Sequence, residues 1–191
     1  MSRLAVFAYG SLVSPASAAQ TLARPVRRAI PARLEGWRRG WTQGRDNARA
    51  EKGFARASDG SALSWCLGLD LRPETAAPAP NGALIELDEA ELERLALREI
   101  RYDPVEVTDA VSPTFEGRVI AFSAKPQHHH PRAPAGAVII AAYLRAVETA
   151  FAELEPGGLD EFRQTTGRPP VEVVEAVLVR DEIPPGNPRE W

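Results

Sequence analysis

Apolar positions along the chain follow two periods, and the switches between them sketch the architecture. Leu4 to Tyr9 is a short apolar run closed by Gly10, which reads as a buried strand entering a turn. Ser14-Pro15 then opens a helix, since Pro suits the first helical position and Ser the cap. Arg33 to Thr42 carries Leu34, Trp37 and Trp41 among arginines and reads as a strand. Leu63 to Leu71 places Leu63, Trp65, Leu67, Leu69 and Leu71 on one face, a period-two strand. Pro73 to Pro80 is a Pro/Ala-rich loop, and Ala83 to Leu87 is a further strand. Asp88, with Glu91 three residues on, forms a capping box at the start of a helix. Tyr102 to Thr108 and Gly117 to Ala121 read as short strands. Ala137 to Leu154 spaces Ile139, Ile140, Tyr143, Val147, Phe151 and Leu154 as one helix, stopped by Gly157-Gly158. A short helix at Leu159 to Thr165, a last strand at Val171 to Val179 and a Pro-rich tail from about residue 183 complete the pattern. The expectation is a mixed α+β fold in a single domain spanning 1–191.

Composition adds limits to this picture. A chain of 191 residues buries enough surface to hold a core without metal or disulfide. Its single cysteine, Cys66, excludes an intramolecular disulfide and fits a reducing, cytoplasmic setting. The longest apolar run, Ala137 to Leu144, is far short of the ~20 residues of a membrane span. The start imitates a secretory signal, with Ala16-Ser17-Ala18 as a cleavage site. Tyr9-Gly10-Ser11 break its apolar core after five residues, however, against the usual 7–15, so it reads as part of the domain. A net charge of −3 gives no overall attraction to nucleic acid or anionic lipid. Residues 24–52 are locally different, with nine basic side chains against Glu35, Asp46 and Glu51. Trp37 and Trp41 among them imitate a surface with base-stacking platforms. The rest of the chain carries −9, and the simpler reading puts the arginines on the outer face of a strand whose tryptophans are core. No nucleic-acid and no membrane partner is expected.

Three places hold candidate chemistry. With residues about 100° apart on the helix after Asp88, Glu99 falls between Leu95 and Ala96, in the middle of the apolar stripe. An acid there is paired, turned to solvent at a helix end, or functional. The plain alternative is that the helix ends near Leu97, so that Glu99 leaves the stripe and pairs with Arg98 or Arg101. Tyr9-Gly10-Ser11-Leu12 lies where a strand hands over to a helix, a turn that can offer backbone N–H groups to a carboxylate. It lacks Walker and GxGxxG spacing, and Ser11 has no GxSxG, so phosphate binding and a nucleophilic serine are unsupported. Of the triplet His128, His129 and His130, only the first and last share a side of an extended segment. Neither has a partner at a zinc spacing, so Pro126 to Pro134 reads as a polar loop that binds no metal.

Taken together, the motifs resemble a family. Phe7-Ala8-Tyr9-Gly10-Ser11-Leu12, then Ala32-Arg33-Leu34-Glu35-Gly36-Trp37-Arg38-Arg39, then Gly82-Ala83-Leu84-Ile85-Glu86-Leu87-Asp88 running into Arg98-Glu99-Ile100-Arg101-Tyr102, occur in the order and spacing of the gamma-glutamylcyclotransferase-like superfamily. The resemblance spans most of the chain and takes in the helix around Tyr143-Leu144. It implies a small barrel-like mixed sheet with flanking helices and no metal or organic cofactor. The implied reaction releases 5-oxoproline from a gamma-glutamyl peptide or amine, by attack of the substrate's α-amine on its own γ-carbonyl. Glu99 is then the general base, and a carboxylate on an apolar stripe accepts protons better than a solvated one. Tyr9, Gly10, Ser11 and Leu12 bind the glutamyl moiety, Tyr143 corresponds to a family tyrosine, and the Pro126–Pro134 loop becomes a mobile lid near the pocket. The partner is a small gamma-glutamyl molecule; a non-catalytic domain that binds such a metabolite is the alternative. Two departures, Ile100 where glycine is frequent and Ala121-Phe122 where a tyrosine often closes the strand, bear on substrate scope.

Overall fold

The computed structural model describes residues 3–183 together with 187 and 188, so the expected Pro-rich tail falls largely outside the described residues. The chain runs β1 (Leu4–Ala8), α1 (Pro15–Leu22), β2 (Ile30–Leu34), β3 (Trp37–Asp46), β4 (Lys52–Arg56), β5 (Trp65–Pro73), β6 (Asn81–Leu87) and α2 (Glu89–Arg98). It continues through β7 (Tyr102–Glu106), β8 (Val111–Ser112), β9 (Arg118–Ala124), β10 (Ala137–Ile140), α3 (Ala141–Leu154), α4 (Gly158–Thr166), β11 (Val173–Val174) and β12 (Ala176–Asp181).

A six-stranded sheet has the order β7-β9-β1-β6-β2-β8 and a four-stranded one the order β11-β10-β5-β3; β12 and β4 form a separate antiparallel pair. β1 lies at the centre, antiparallel to β6 and parallel to β9, with all five residues buried. That double burial is why its sequence is a continuous apolar run instead of an alternation. β5 is stitched to β9: Ser123 Oγ donates to the Leu71 carbonyl at 2.8 Å, and the Ala124 N–H donates to Asp70 Oδ1 at 2.7 Å. The two large sheets therefore curl into one barrel-like wall, the mixed α+β architecture expected. α3 and α4 cover it through the stacked Phe151 and Phe162 rings, 4.6 Å apart.

Several boundaries differ from the sequence reading. The strand expected over Arg33 to Thr42 is two strands, β2 and β3, parted at Glu35-Gly36, where Gly36 takes a left-handed φ of 73°. The start of the expected Ala137–Leu154 helix is β10, which pairs in parallel with β5 and β11. A run apolar at every position serves a buried strand or a buried helix equally well. β4 was not foreseen; it is a strand because β12 pairs with it. The last strand divides at Glu175 into β11 and β12, which join different sheets.

On β3 Arg38 faces outward as expected, but its neighbour Arg39 turns into the core beside Trp41. Arg39 is wholly buried. Its Nη1 donates to the Asn81 carbonyl at 2.5 Å, its Nε to Thr166 Oγ1 at 2.6 Å, and its Nη2 to Asn81 Oδ1 at 2.9 Å and Thr165 Oγ1 at 3.0 Å. The guanidinium lies against the Phe162 and Phe151 rings, at 4.4 and 4.8 Å from their centres. Burial pulls its pKa down to about 9, which still leaves it charged at neutral pH. Arg24 pairs with Glu91, Arg33 with Glu155 and Glu161, Arg38 with Glu74, and Lys52 with Asp181. The local excess of positive charge is thus largely answered from within the fold.

Candidate active site

The site forms where α2 ends, beside the turn that follows β1. The capping box is present: the Glu91 N–H donates to Asp88 Oδ1 at 2.8 Å, and Glu91 Oε2 accepts from the Asp88 N–H at 2.9 Å. The other end of the helix corrects the expectation for Glu99. Glu99 is the C-cap, with φ −89° and ψ 42°, and its carbonyl accepts from the Tyr102 N–H at 2.8 Å as the chain turns into β7. It has therefore left the apolar stripe and pairs with Arg98, whose Nε lies 3.3 Å from Glu99 Oε1. Arg101 is engaged by Glu51 instead. Glu99 is nonetheless not a surface acid, because its side chain is only 18% exposed and lines a recess.

All six residues singled out from the sequence meet in that recess, of about 60 Å³. Tyr9, Gly10, Ser11 and Leu12 form one wall, and Glu99 and Tyr143 stand across from them with Leu69, Tyr102 and Phe122. Leu12 opens into a single helical turn, Ser11–Val13, whose first N–H groups have no partner within the turn. Gly10 matters for space: a Cβ there would sit 3.6 Å from both Tyr143 Oη and Leu69 Cδ1, inside the recess.

Three phenols surround the cavity. Tyr9 Oη donates to the Phe122 carbonyl at 2.5 Å, and Tyr102 Oη donates to the Leu69 carbonyl at 2.8 Å. Burial pushes Tyr9 well above the usual tyrosine value. The Tyr143 pKa is pushed up to about 12 by burial, with the negative charge of Glu99 adding to the effect. Both phenols are therefore neutral hydrogen-bond donors at pH 7. Tyr143 is set by α3 on one side and by the edge of Trp41, 6.3 Å away, on the other.

The recess opens into a wider groove of about 280 Å³ that shares Ser11, Glu99, Tyr102 and Tyr143 with it. Gln43, Arg45, Leu67, Gly68 and Ile140 form the groove's far side. Arg98 ties the two spaces together: its Nη2 lies 3.4 Å from Ser11 Oγ and 3.3 Å from Ser17 Oγ, and its Nη1 bonds Thr21 Oγ1. Sequence reasoning placed Arg98 only as an ion-pair partner and missed Leu69, Tyr102, Gln43 and Arg45. A signal existed in β3, where Arg39 and Gln43 share buried positions with Trp41 at period two, polar groups where core is expected.

The histidine loop is not a lid over this space. His129 Nδ1 lies 2.9 Å from the buried Asp70 Oδ2, and the His130 N–H donates to the Thr42 carbonyl at 2.7 Å. The His130 ring packs on Trp65 and fills the space where a Cβ on Gly44 would stand. The loop is fastened to β3 and β5 and lines neither the recess nor the groove. Among the described residues, no group of three or more His, Cys, Asp or Glu is placed to hold a metal ion. No described helix is long and apolar enough to cross a membrane. Of the two departures, Ile100 is exposed outside the recess, while Phe122 lies in it and gives its carbonyl to Tyr9.

A curled mixed sheet thus ends in a helix-flanked recess lined by an acid and three phenols. No protein-family model matches the chain, and no curated protein matches it in sequence. Solved structures do. YkqA from Bacillus subtilis superposes over 86% of this chain with a TM-score of 0.56 and 16% identity, and the chain spans only 56% of that protein. A gamma-glutamyl cyclotransferase superposes over 91% of this chain and 94% of its own, with a TM-score of 0.53 and 14% identity. The yeast gamma-glutamyl cyclotransferase specific to glutathione covers 87% and 98%, with a TM-score of 0.52 and 15% identity. The chain has the gamma-glutamylcyclotransferase-like fold that its motifs resemble.

Proposed function

We propose that the protein is a cofactor-free cytoplasmic gamma-glutamyl cyclotransferase, with the recess as its glutamyl pocket and Glu99 as its general base. The observation that carries this reading is the meeting of Tyr9–Leu12, Glu99 and Tyr143 in one cavity, from segments about 90 and 45 residues apart in sequence. The similarity in fold to proteins named for that activity supports it.

The chemistry is intramolecular. About a tenth of an α-amine with a pKa near 8 is unprotonated at pH 7. Its nitrogen attacks the γ-carbonyl carbon, a C–N bond forms, and the carbonyl oxygen takes up negative charge. Glu99 accepts the proton released from that nitrogen and returns it to the departing nitrogen as the old C–N bond breaks. The products are 5-oxoproline and a free amine, with no water consumed. The amides that open the Ser11–Val13 turn, with Ser11 Oγ, hold the substrate carboxylate. The protonated phenol of Tyr143 donates to the developing oxyanion. Because both reacting groups belong to one molecule, holding it in a bent, near-attack shape is the main work of the recess.

The test is to follow 5-oxoproline while the protein is incubated with a panel of gamma-glutamyl amino acids, gamma-glutamyl amines and glutathione. Catalytic release supports the reading. Saturable binding without release would favour the non-catalytic binding domain instead, and neither binding nor release would remove both.

A further inference from the structure

The groove beyond Glu99 has an unbalanced charge inventory. Three guanidinium groups line it, Arg45, Arg98 and Arg101, and Glu99 is the one acid among its lining residues. Glu51, from outside the groove, engages Arg101 through both of its oxygens. Arg98 is taken by Glu99 and by the hydroxyls of α1. Arg45 has no acidic partner among the described residues, and its Nε is buried with no hydrogen-bond acceptor. Its guanidinium lies on the Phe54 ring at 4.8 Å, which fixes the plane of the fork. Leu67, Ile140 and Ala146 give the same groove apolar walls. A groove-lining guanidinium with no acidic partner marks where an anion is missing.

Position decides which anion. Glu99 and Tyr143 line both the recess and the groove, so a scissile bond beside Glu99 leaves the glutamyl half in the recess and the departing half in the groove. We propose that Arg45 is a specificity-determining residue that takes the carboxylate of the leaving group, so that the protein selects gamma-glutamyl amino acids or peptides over gamma-glutamyl amines. This rests on the reading of the recess as the glutamyl pocket. A planar fork matches a carboxylate through two parallel bonds, and the apolar walls accept the leaving group's side chain.

The discriminating pair is gamma-glutamyl-alanine and gamma-glutamyl-ethylamide, which differ only in that carboxylate. Binding is measured by calorimetry, and 5-oxoproline release is followed separately. The wild type is expected to bind the alanine compound about 10–100-fold more tightly. In Arg45→Gln that ratio falls to near one, and Arg45→Lys, which keeps the charge without the fork, gives a value in between. Equal binding of the two compounds by the wild type would overturn the role of Arg45, and if both then released 5-oxoproline the cyclotransferase reading would survive alone. Preference for the alanine compound without release would keep the carboxylate site and remove the catalytic reading. Binding of neither would overturn both. If Arg45→Gln does not fold, the wild-type ratio and Arg45→Lys decide.

Discussion

Two guanidinium groups reach the segment Tyr9–Ser11 from different elements, and they differ in what completes them. Arg39, from β3, touches the Tyr9 carbonyl at 3.4 Å and has its other donors answered by Asn81, Thr165 and Thr166 beside two phenylalanine rings. Arg98, from the end of α2, touches Ser11 Oγ at 3.4 Å and shares itself between Glu99 and the hydroxyls of Ser17 and Thr21. A cation taken out of water carries a desolvation penalty of several kcal/mol, and Arg39 offsets it with hydrogen bonds to buried neutral groups. It is scaffold, and it sets where the turn sits. Arg98 faces an open groove, and its bonds to a carboxylate and to rotatable hydroxyls can be redistributed when a ligand arrives. A buried charge caged by neutral groups reports on folding, and one shared between a carboxylate and hydroxyls beside a cleft reports on function.

Breaking the functional side gives the largest expected effect. Glu99→Gln keeps the shape but removes the proton acceptor, and turnover should fall by about 10²–10⁴. Stability should fall by no more than about 1–3 kcal/mol, because the replacing amide oxygen still accepts from Arg98 and Arg98 keeps its hydroxyl partners. Near-normal turnover would sink Glu99 as base. Breaking the scaffold side should show the reverse. Arg39→Met keeps most of the stem but strands the acceptors on Asn81, Thr165 and Thr166, for a loss of about 3 kcal/mol in urea unfolding. In a domain of this size that lowers the melting temperature by about 6–12 °C. An unchanged melting temperature would mean that the cage contributes nothing to the scaffold.

The two sides were not equally legible in the sequence. The turn after β1 and the start of α2 are written in local punctuation, Gly10, Pro15 and the Asp88/Glu91 box, and all of these fell where expected. Glu99 was found for a reason that proved incomplete. Its place on the stripe assumed one more helical residue than α2 has, and the hydrogen bond from Tyr102 that turns the chain leaves no trace in hydrophobic periodicity. β10 was hidden because its partner, β5, lies about 70 residues upstream and nothing local distinguishes a buried strand from a buried helix. Arg39 and Arg45 were hidden for the same reason. Which face of β3 is interior depends on its pairing with β5, including the register shift between Gly40 and Gln43.

A smaller effect sharpens where the recess ends. Gly10→Ala places a methyl 3.6 Å from Tyr143 Oη and Leu69 Cδ1, an ordinary contact that the fold accommodates without displacement. Stability should therefore hold to within about 0.5 kcal/mol. The methyl fills space the substrate needs, so KM for a gamma-glutamyl substrate should rise about tenfold while kcat changes less. An unaltered KM would place the glutamyl moiety elsewhere, most simply in the groove.

The smallest effect lies in the alkaline range and concerns the phenol that serves as donor. The folded-state pKa of Tyr143 is pushed up to about 12, against about 10 in an unfolded chain, so folding favours the protonated form. Its contribution is complete below about pH 10 and is lost as the pH rises towards 12. Tyr9 acts in the same direction. Arg39 acts in the opposite one, since its lowered value lets folding gain relative to the unfolded chain as the pH climbs above about 9. Wild type compared with Tyr143→Phe isolates the one phenol, because Tyr9 and Arg39 are common to both proteins. Denaturation midpoints measured at about pH 8 and pH 11 should drop less in the variant than in the wild type. Equal drops would mean that the Tyr143 hydroxyl is solvated, and a solvated phenol has no claim to be the preorganised donor that the developing oxyanion requires.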